Sequence, residues 1–172
     1  MYYVEVYKII EIVGGNNTMS FGPQKISLEE AHSSGIDVNF EQMMNGEKRY
    51  RLVASDGSSY CRTVGSEQGA WQNSHYHKYV SELYLVQFGW IGYAEIDKNG
   101  DLKVHILHEN EIVTVKPYVH HNIYMPANSV THTIKYGSSG EEIDWFPSKE
   151  LDIFTKNISE KDLLQLSKIK EK

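Results

Sequence analysis

The chain has one cysteine, four prolines, no long hydrophobic run and a shortage of positive charge. Cys61 has no second thiol to pair with, so the fold must hold without a covalent staple, a thiolate metal cluster is excluded, and a reducing, cytoplasmic setting is expected. Residues 1–13 interrupt their apolar content with Glu5, Lys8 and Glu11, which spoils both a signal-peptide core and a spanning segment, so no membrane partner is expected. Lys and Arg number 17 against 23 Asp and Glu, a formal net charge of −6. Such a chain supplies no field for general phosphate-backbone binding, and nucleic acid is not expected as a partner. No repeat, low-complexity stretch or Pro-rich linker divides the 172 residues, a length that suits one domain. What the chain does have is histidine, eight of them. If a metal is bound, imidazole and carboxylate must hold it.

Strand patterns dominate. Val4 and Val6 alternate with Tyr3, Glu5 and Tyr7, and Tyr50, Leu52 and Ala54 share one parity about Arg51. Turn residues separate such runs, among them Gly14-Gly15-Asn16-Asn17 and Asp56-Gly57-Ser58-Ser59; Asn99-Gly100, between two apolar arms, is the strongest hairpin signal. From about Lys48 to Lys135 strand follows strand with no helical period. This predicts an all-β barrel or jelly roll rather than a parallel sheet with crossover helices. Helices are expected only near the ends. Ser27 and Glu30 form a capping box, Ser159 and Asp162 open a second helix, and Leu163, Leu164, Leu166 and Ile169 give that last helix an apolar stripe. The expected organisation is a single domain over 1–172, with a barrel core at about 48–137, a strand and helix extension over 1–47 and a helical tail over 148–172.

Chemistry concentrates between Gly69 and Gly89. His75 and His77 lie two apart, so on a strand both imidazoles face the same side. Glu82 follows five residues later, beyond a bend, and can return a carboxylate to the same spot. Two imidazoles and a carboxylate on one wall nearly complete a site for a divalent first-row ion. A lone His-x-His is more often a packing pair; the full spacing is what separates this one. Tyr84 shares the parity of Glu82 and is expected to point inward.

These residues resemble the first motif of the cupin superfamily: Gly, five residues, His-x-His, three or four residues, Glu, six residues, Gly, met by Gly69, His75, His77, Glu82 and Gly89. The second motif of that family ends in a further His ligand after a Pro-led turn. Tyr124-Met125-Pro126-Ala127-Asn128-Ser129-Val130-Thr131-His132 is the preferred match, although His120 stands at the leading Gly position, Asn128 replaces the turn Gly and His132 comes one residue late. His121 is its rival. The resemblance implies a cupin-type jelly-roll β-barrel with short terminal helices, and a site of His75, His77, Glu82 and His132 holding a divalent Fe, Mn, Ni, Co or Zn ion. Tyr84 and His121 are then candidates to move a proton, His120 to line the barrel mouth, and Arg62 and Lys135 to hold an anionic substrate group. The implied function is a sugar or nucleotide-sugar isomerase or epimerase with a small-molecule, carbohydrate substrate. An iron-dependent dioxygenase and a non-enzymatic sugar-binding cupin are the alternatives. A homodimer is expected, through edge strands or exchange of residues 1–13. His32, His105 and His108 are assigned to the surface.

Overall fold

The computed structural model describes residues 23, 25–140 and 143–170. The strand and exchange segment expected over residues 1–13, and the turn at residues 14–17, lie outside these residues. The described chain begins with α1 (Leu28–Ser33) and continues through β1 (Ile36–Gln42), β2 (Lys48–Ala54), β3 (Ser59–Val64), β4 (Ala70–Trp71), β5 (His75–Tyr76) and β6 (Ser81–Phe88). It proceeds through β7 (Trp90–Ile96), β8 (Leu102–His108), β9 (Ile112–Val115), β10 (His121–Met125), β11 (Val130–Tyr136) and β12 (Phe146–Pro147), and ends in α2 (Lys149–Thr155) and α3 (Glu160–Lys170). The strands form two antiparallel sheets, ordered β1-β2-β3-β11-β6-β9 and β12-β5-β10-β7-β8, with β4 also paired to β10. This is the expected all-β jelly roll.

Local chemistry explains the joints. Ser27 Oγ accepts a hydrogen bond from the Glu30 amide at 3.0 Å, starting α1. At α3, Asp162 Oδ2 accepts from the Ser159 amide at 3.0 Å while Ser159 Oγ accepts from the Asp162 amide at 3.3 Å, so the shorter carboxylate still closes a reciprocal box. The β7–β8 hairpin forms where Asn99-Gly100 predicted it. Only Gly100 takes a positive φ, 85°, and the Gly100 amide donates to the Asp97 carbonyl at 3.0 Å, so the loop is a turn followed by a left-handed glycine rather than a two-residue loop.

The core sits between the sheets at one end of the barrel, where Tyr84, Val86, Ile91, Tyr93, Val115, Ile123 and Met125 pack together. Along β6 the inward residues run Glu82, Tyr84, Val86, so a single strand passes from a polar pocket into this core. The outer side of the second sheet is covered by α2 and α3. Leu151 and Leu163 are fully buried there, each worth about 1.5–3 kcal/mol of apolar burial. Tyr124 donates to Glu160 at 2.7 Å and Asn122 donates to Thr155 at 2.9 Å, so β10 is buried along its whole length. The apolar stripe expected of α3 is narrower than the sequence suggested: Leu164 and Leu166 are each 41% exposed, and Leu163 alone of the three is buried. No helix among the described residues is long and apolar enough to cross a membrane.

Candidate metal centre

Three strands bring four side chains to one buried point. β5 and β10 pair with His75 opposite His121, setting their rings 4.4 Å apart. His77 follows two residues on, and the Tyr118 amide donates to its carbonyl at 2.6 Å, tying the loop after β5 to the loop before β10. Glu82 enters from β6 in the other sheet. One ligand atom from each of His75, His77, Glu82 and His121 lies within 4.8 Å of the others, and all four residues are buried.

The hydrogen bonds behind the rings fix what each presents. The Nδ1 atoms of His75 and His121 donate to the carbonyls of Asn73 and Val119, both at 3.0 Å, and His77 Nδ1 donates to the carbonyl of Asp144. A carbonyl only accepts, so each Nδ1 carries a proton and each ring turns its Nε2 toward the centre. These Nε2 atoms face a carboxylate: Glu82 Oε2 is 3.5, 3.3 and 2.8 Å from Nε2 of His75, His77 and His121. Desolvation lowers the His75 pKa, keeping that ring neutral. Burial opposes ionisation of Glu82, but Lys135, with Nζ 3.2 Å from Oε1, and the surrounding imidazoles outweigh it and hold the carboxyl well below its ordinary range. His77 Nε2 is buried without a hydrogen-bond partner among the described residues. Three Nε2 atoms and a carboxylate gathered at one buried point, one nitrogen of them unpartnered, fit a divalent cation.

Tyr84 lies against this cluster. Its hydroxyl donates to Glu82 Oε2 at 3.0 Å and stands 3.4 Å from His121 Nε2. Desolvation and the Glu82 charge push its phenol far above the ordinary range, so it remains a donor.

The fourth histidine differs from the preferred expectation. The Pro126 turn forms, with Asn128 in the left-handed region at φ 59° and the Ser129 amide donating to the Pro126 carbonyl at 3.2 Å. The strand it starts nevertheless sends His132 to the outer face, because Thr133 and Lys135 take the inward parity. There His132 bonds Tyr60 and Gln87, both at 2.8 Å. His121 joins the cluster instead, so its Nε2 is not free to act as a separate proton carrier. Arg62 also falls on the outer parity, beside His132, since Cys61 and Thr63 line the interior. His120 points away from its neighbour: its ring stacks on Tyr76 at 4.4 Å and bonds Ser148 at 2.8 Å, remote from any barrel mouth. Lys135 is inside, on the same parity as Thr133. His32 and His108 are exposed, whereas His105 is partly buried and stacks on Tyr93 at 6.3 Å.

Beside the cluster is a cavity of about 160 Å³, bordered by His75, Glu82 and Tyr84 and by Arg49, Arg51 and Lys135. Neither arginine was singled out from sequence. A larger cavity of about 400 Å³ adjoins it, sharing Arg51, Cys61, Thr133, Lys135 and Trp145. Trp145 stacks on His75 at 5.4 Å and so covers the cluster at the junction. Its neighbour Asp144 is clamped by the amides of Lys78, Tyr79 and Val80 at 2.7, 2.8 and 2.9 Å. Partial burial opposes ionisation of Asp144, and these three donors outweigh it, lowering its pKa. The clamp thus fixes the carbonyl that orients His77.

The fold is a cupin-type jelly roll, and three imidazoles and a carboxylate converge on its inner wall. No family model and no curated protein matches the chain. Solved structures do match. Bacillus subtilis oxalate decarboxylase, studied for its Mn(II) centres, is similar at a TM-score of 0.54 and 14% identity, over 74% of this chain and 37% of that one. A tryptophan-to-phenylalanine variant of the same enzyme gives 0.57 and 13%, over 79% and 42%. CapF, a capsular polysaccharide assembling protein of Staphylococcus aureus, gives 0.51 and 17%, over 64% and 32%. The chain therefore spans less than half the length of each, and the likeness is one of fold.

Proposed function

We propose that the chain is a metal-dependent cupin enzyme that isomerises or epimerises a small carbohydrate-type substrate, with His75, His77, Glu82 and His121 holding a divalent first-row ion. One observation carries this reading: three imidazoles, each pinned through Nδ1 to a backbone carbonyl, turn Nε2 toward the same carboxylate oxygen, and His77 Nε2 has no other partner. When bound, such an ion supplies Lewis acidity toward a carbonyl or hydroxyl oxygen. The chain supplies the rest. Tyr84 holds a proton at its hydroxyl and orients Glu82, Lys135 fixes the other carboxylate oxygen, and Trp145 keeps bulk water from His75. The adjoining cavity admits a substrate beside the cluster rather than through it.

The chain works as a homodimer in this reading. The outer face of the first sheet exposes Phe40 at 71%, Ile112 at 58% and Leu52 at 45%, and a second copy packed sheet to sheet would cover these side chains.

Elemental analysis of the purified full chain, paired with a turnover assay over sugar phosphates and nucleotide sugars, tests the enzyme. Stoichiometric divalent metal, lost together with turnover in His75→Ala, is the expected result. An alanine variant that leaves both metal content and activity untouched removes the proposal.

A further inference from the structure

The geometry points to an anion-binding subsite beside the metal centre, formed by Arg49, Arg51 and Lys135, so that the substrate is a small carboxylate or phosphate rather than a neutral sugar. This rests on the reading of the centre as a reaction site and names the substrate class it takes.

The three cations come from two strands of the first sheet. Arg49 and Arg51 lie two apart on β2 and share its inward parity. Across the sheet, Arg51 pairs with Cys61 and Cys61 with Thr133, while Lys135 lies two residues beyond Thr133 on β11, again inward. All three side chains border the inner cavity, and Arg51 and Lys135 border the outer one as well, at the junction a ligand must pass.

Each arginine is held in place with capacity to spare, and Lys135 is held by Glu82. Arg49 donates Nε and Nη2 to Glu47 Oε2 at 3.3 and 2.9 Å, and Arg51 donates Nη1 to Glu41. A guanidinium has five N–H donors, so each arginine is oriented by a carboxylate outside the cavity lining and keeps N–H groups for a ligand. Glu82 is the one carboxylate lining the inner cavity among the described residues, and its Oε2 belongs to the imidazole cluster. Three positive groups therefore border the space against a single carboxylate, whose Oε1 is paired with Lys135 at 3.2 Å. Thr63 and Thr133 add hydroxyls suited to oxyanion oxygens. The inner cavity, about 160 Å³, is roughly half the lower end of drug-sized ligand sites, about 300 Å³, so a nucleotide does not fit inside it, whereas a short carboxylic acid or one phosphate group does.

Calorimetric titration of the full chain with inorganic phosphate, malonate and the neutral polyol erythritol tests this, on metal-loaded and chelated protein with metal content measured in parallel. Phosphate or malonate should bind at least about 10-fold more tightly than erythritol, and Arg51→Gln and Lys135→Gln should each weaken anion binding about 10- to 100-fold. Arg51→Lys should restore part of the loss. A preference for phosphate identifies a phosphate ester and a preference for malonate identifies a carboxylic acid; either upholds the subsite. Anion affinity unchanged in both glutamine variants, or erythritol binding as tightly as the anions, overturns it. A chain that holds no metal yet binds anions through Arg51 keeps the subsite and removes the metalloenzyme reading. A metal-loaded chain that binds neither anion does the reverse.

Discussion

The two faces of the first sheet are built the wrong way round for an ordinary antiparallel sheet, which hides apolar side chains and wets polar ones. At the site end its inner face carries Arg49, Arg51, Thr63, Glu82, Thr133 and Lys135, while Tyr84, Val86 and Val115 of the same face enter the core. Its outer face carries two rows that run across the registered strands: Val38, Leu52, Tyr60, Ile134, Leu83, and beside it Phe40, Tyr50, Arg62, His132, Leu85, Ile112. The second sheet shows no such inversion, because α2 and α3 cover its outside and its inside contributes Ile91, Tyr93, Ile123 and Met125 to the core. The inversion separates two requirements. Charge kept inside costs desolvation and is retained where a ligand must be held, while apolar surface left outside is what an interface requires.

The largest effect is expected where an inner charge is removed. Glu47 is almost completely buried, and its Oε1 has no partner among the described residues, so it depends on Arg49. Arg49→Met should destabilise the chain by about 3–5 kcal/mol in urea unfolding, the cost of stranding a buried charge. Lys48→Met, on the same strand but exposed, should stay within about 0.5 kcal/mol. Equal losses would erase the distinction between the faces.

Next comes the contrast between two histidines. His121→Ala removes a member of the cluster and should lower affinity for a divalent ion by more than the roughly 10- to 100-fold typical of losing a mere supporting partner. His132→Ala removes hydrogen bonds to Tyr60 and Gln87 on the outer face and should leave metal content unchanged in elemental analysis. Loss of metal in the His132 variant would restore the ligand set preferred from sequence.

That contrast also shows what was legible. His75, His77 and Glu82 could be read because they fall within one short stretch whose spacing is fixed by local strand geometry, and because Gly89, at φ 78°, marks the turn that ends it. His121 was a rival only, since the left-handed residue before it is Tyr118, at φ 66°, where no glycine signals a turn. The Pro126 turn was read correctly and still misled, because His132 comes one residue late and so falls on the parity of β11 opposite to the inward Thr133 and Lys135. Arg49 and Arg51 were missed for the same inversion. In Arg49-Tyr50-Arg51-Leu52 the alternation announces a strand, but the usual rule buries Tyr50 and Leu52, whereas here the arginines face inward.

The smallest effect on the folded chain is expected at the outer rows, where it bears on assembly. Leu52 and Ile134 lie in one row with Tyr60 between them and are 45% and 42% exposed, so each can become glutamate with little change to the monomer, about 0.5 kcal/mol or less. In a sheet-to-sheet dimer the same carboxylates would meet their symmetry copies in a dry interface, where uncompensated charge costs several kcal/mol. Sedimentation of Leu52→Glu/Ile134→Glu should therefore show a monomer where the parent chain shows a dimer, with metal content unchanged. A parent chain that sediments as a monomer at every concentration removes the pairing. A double variant that still dimerises moves the interface away from these rows and leaves the outer face without its reason for being apolar.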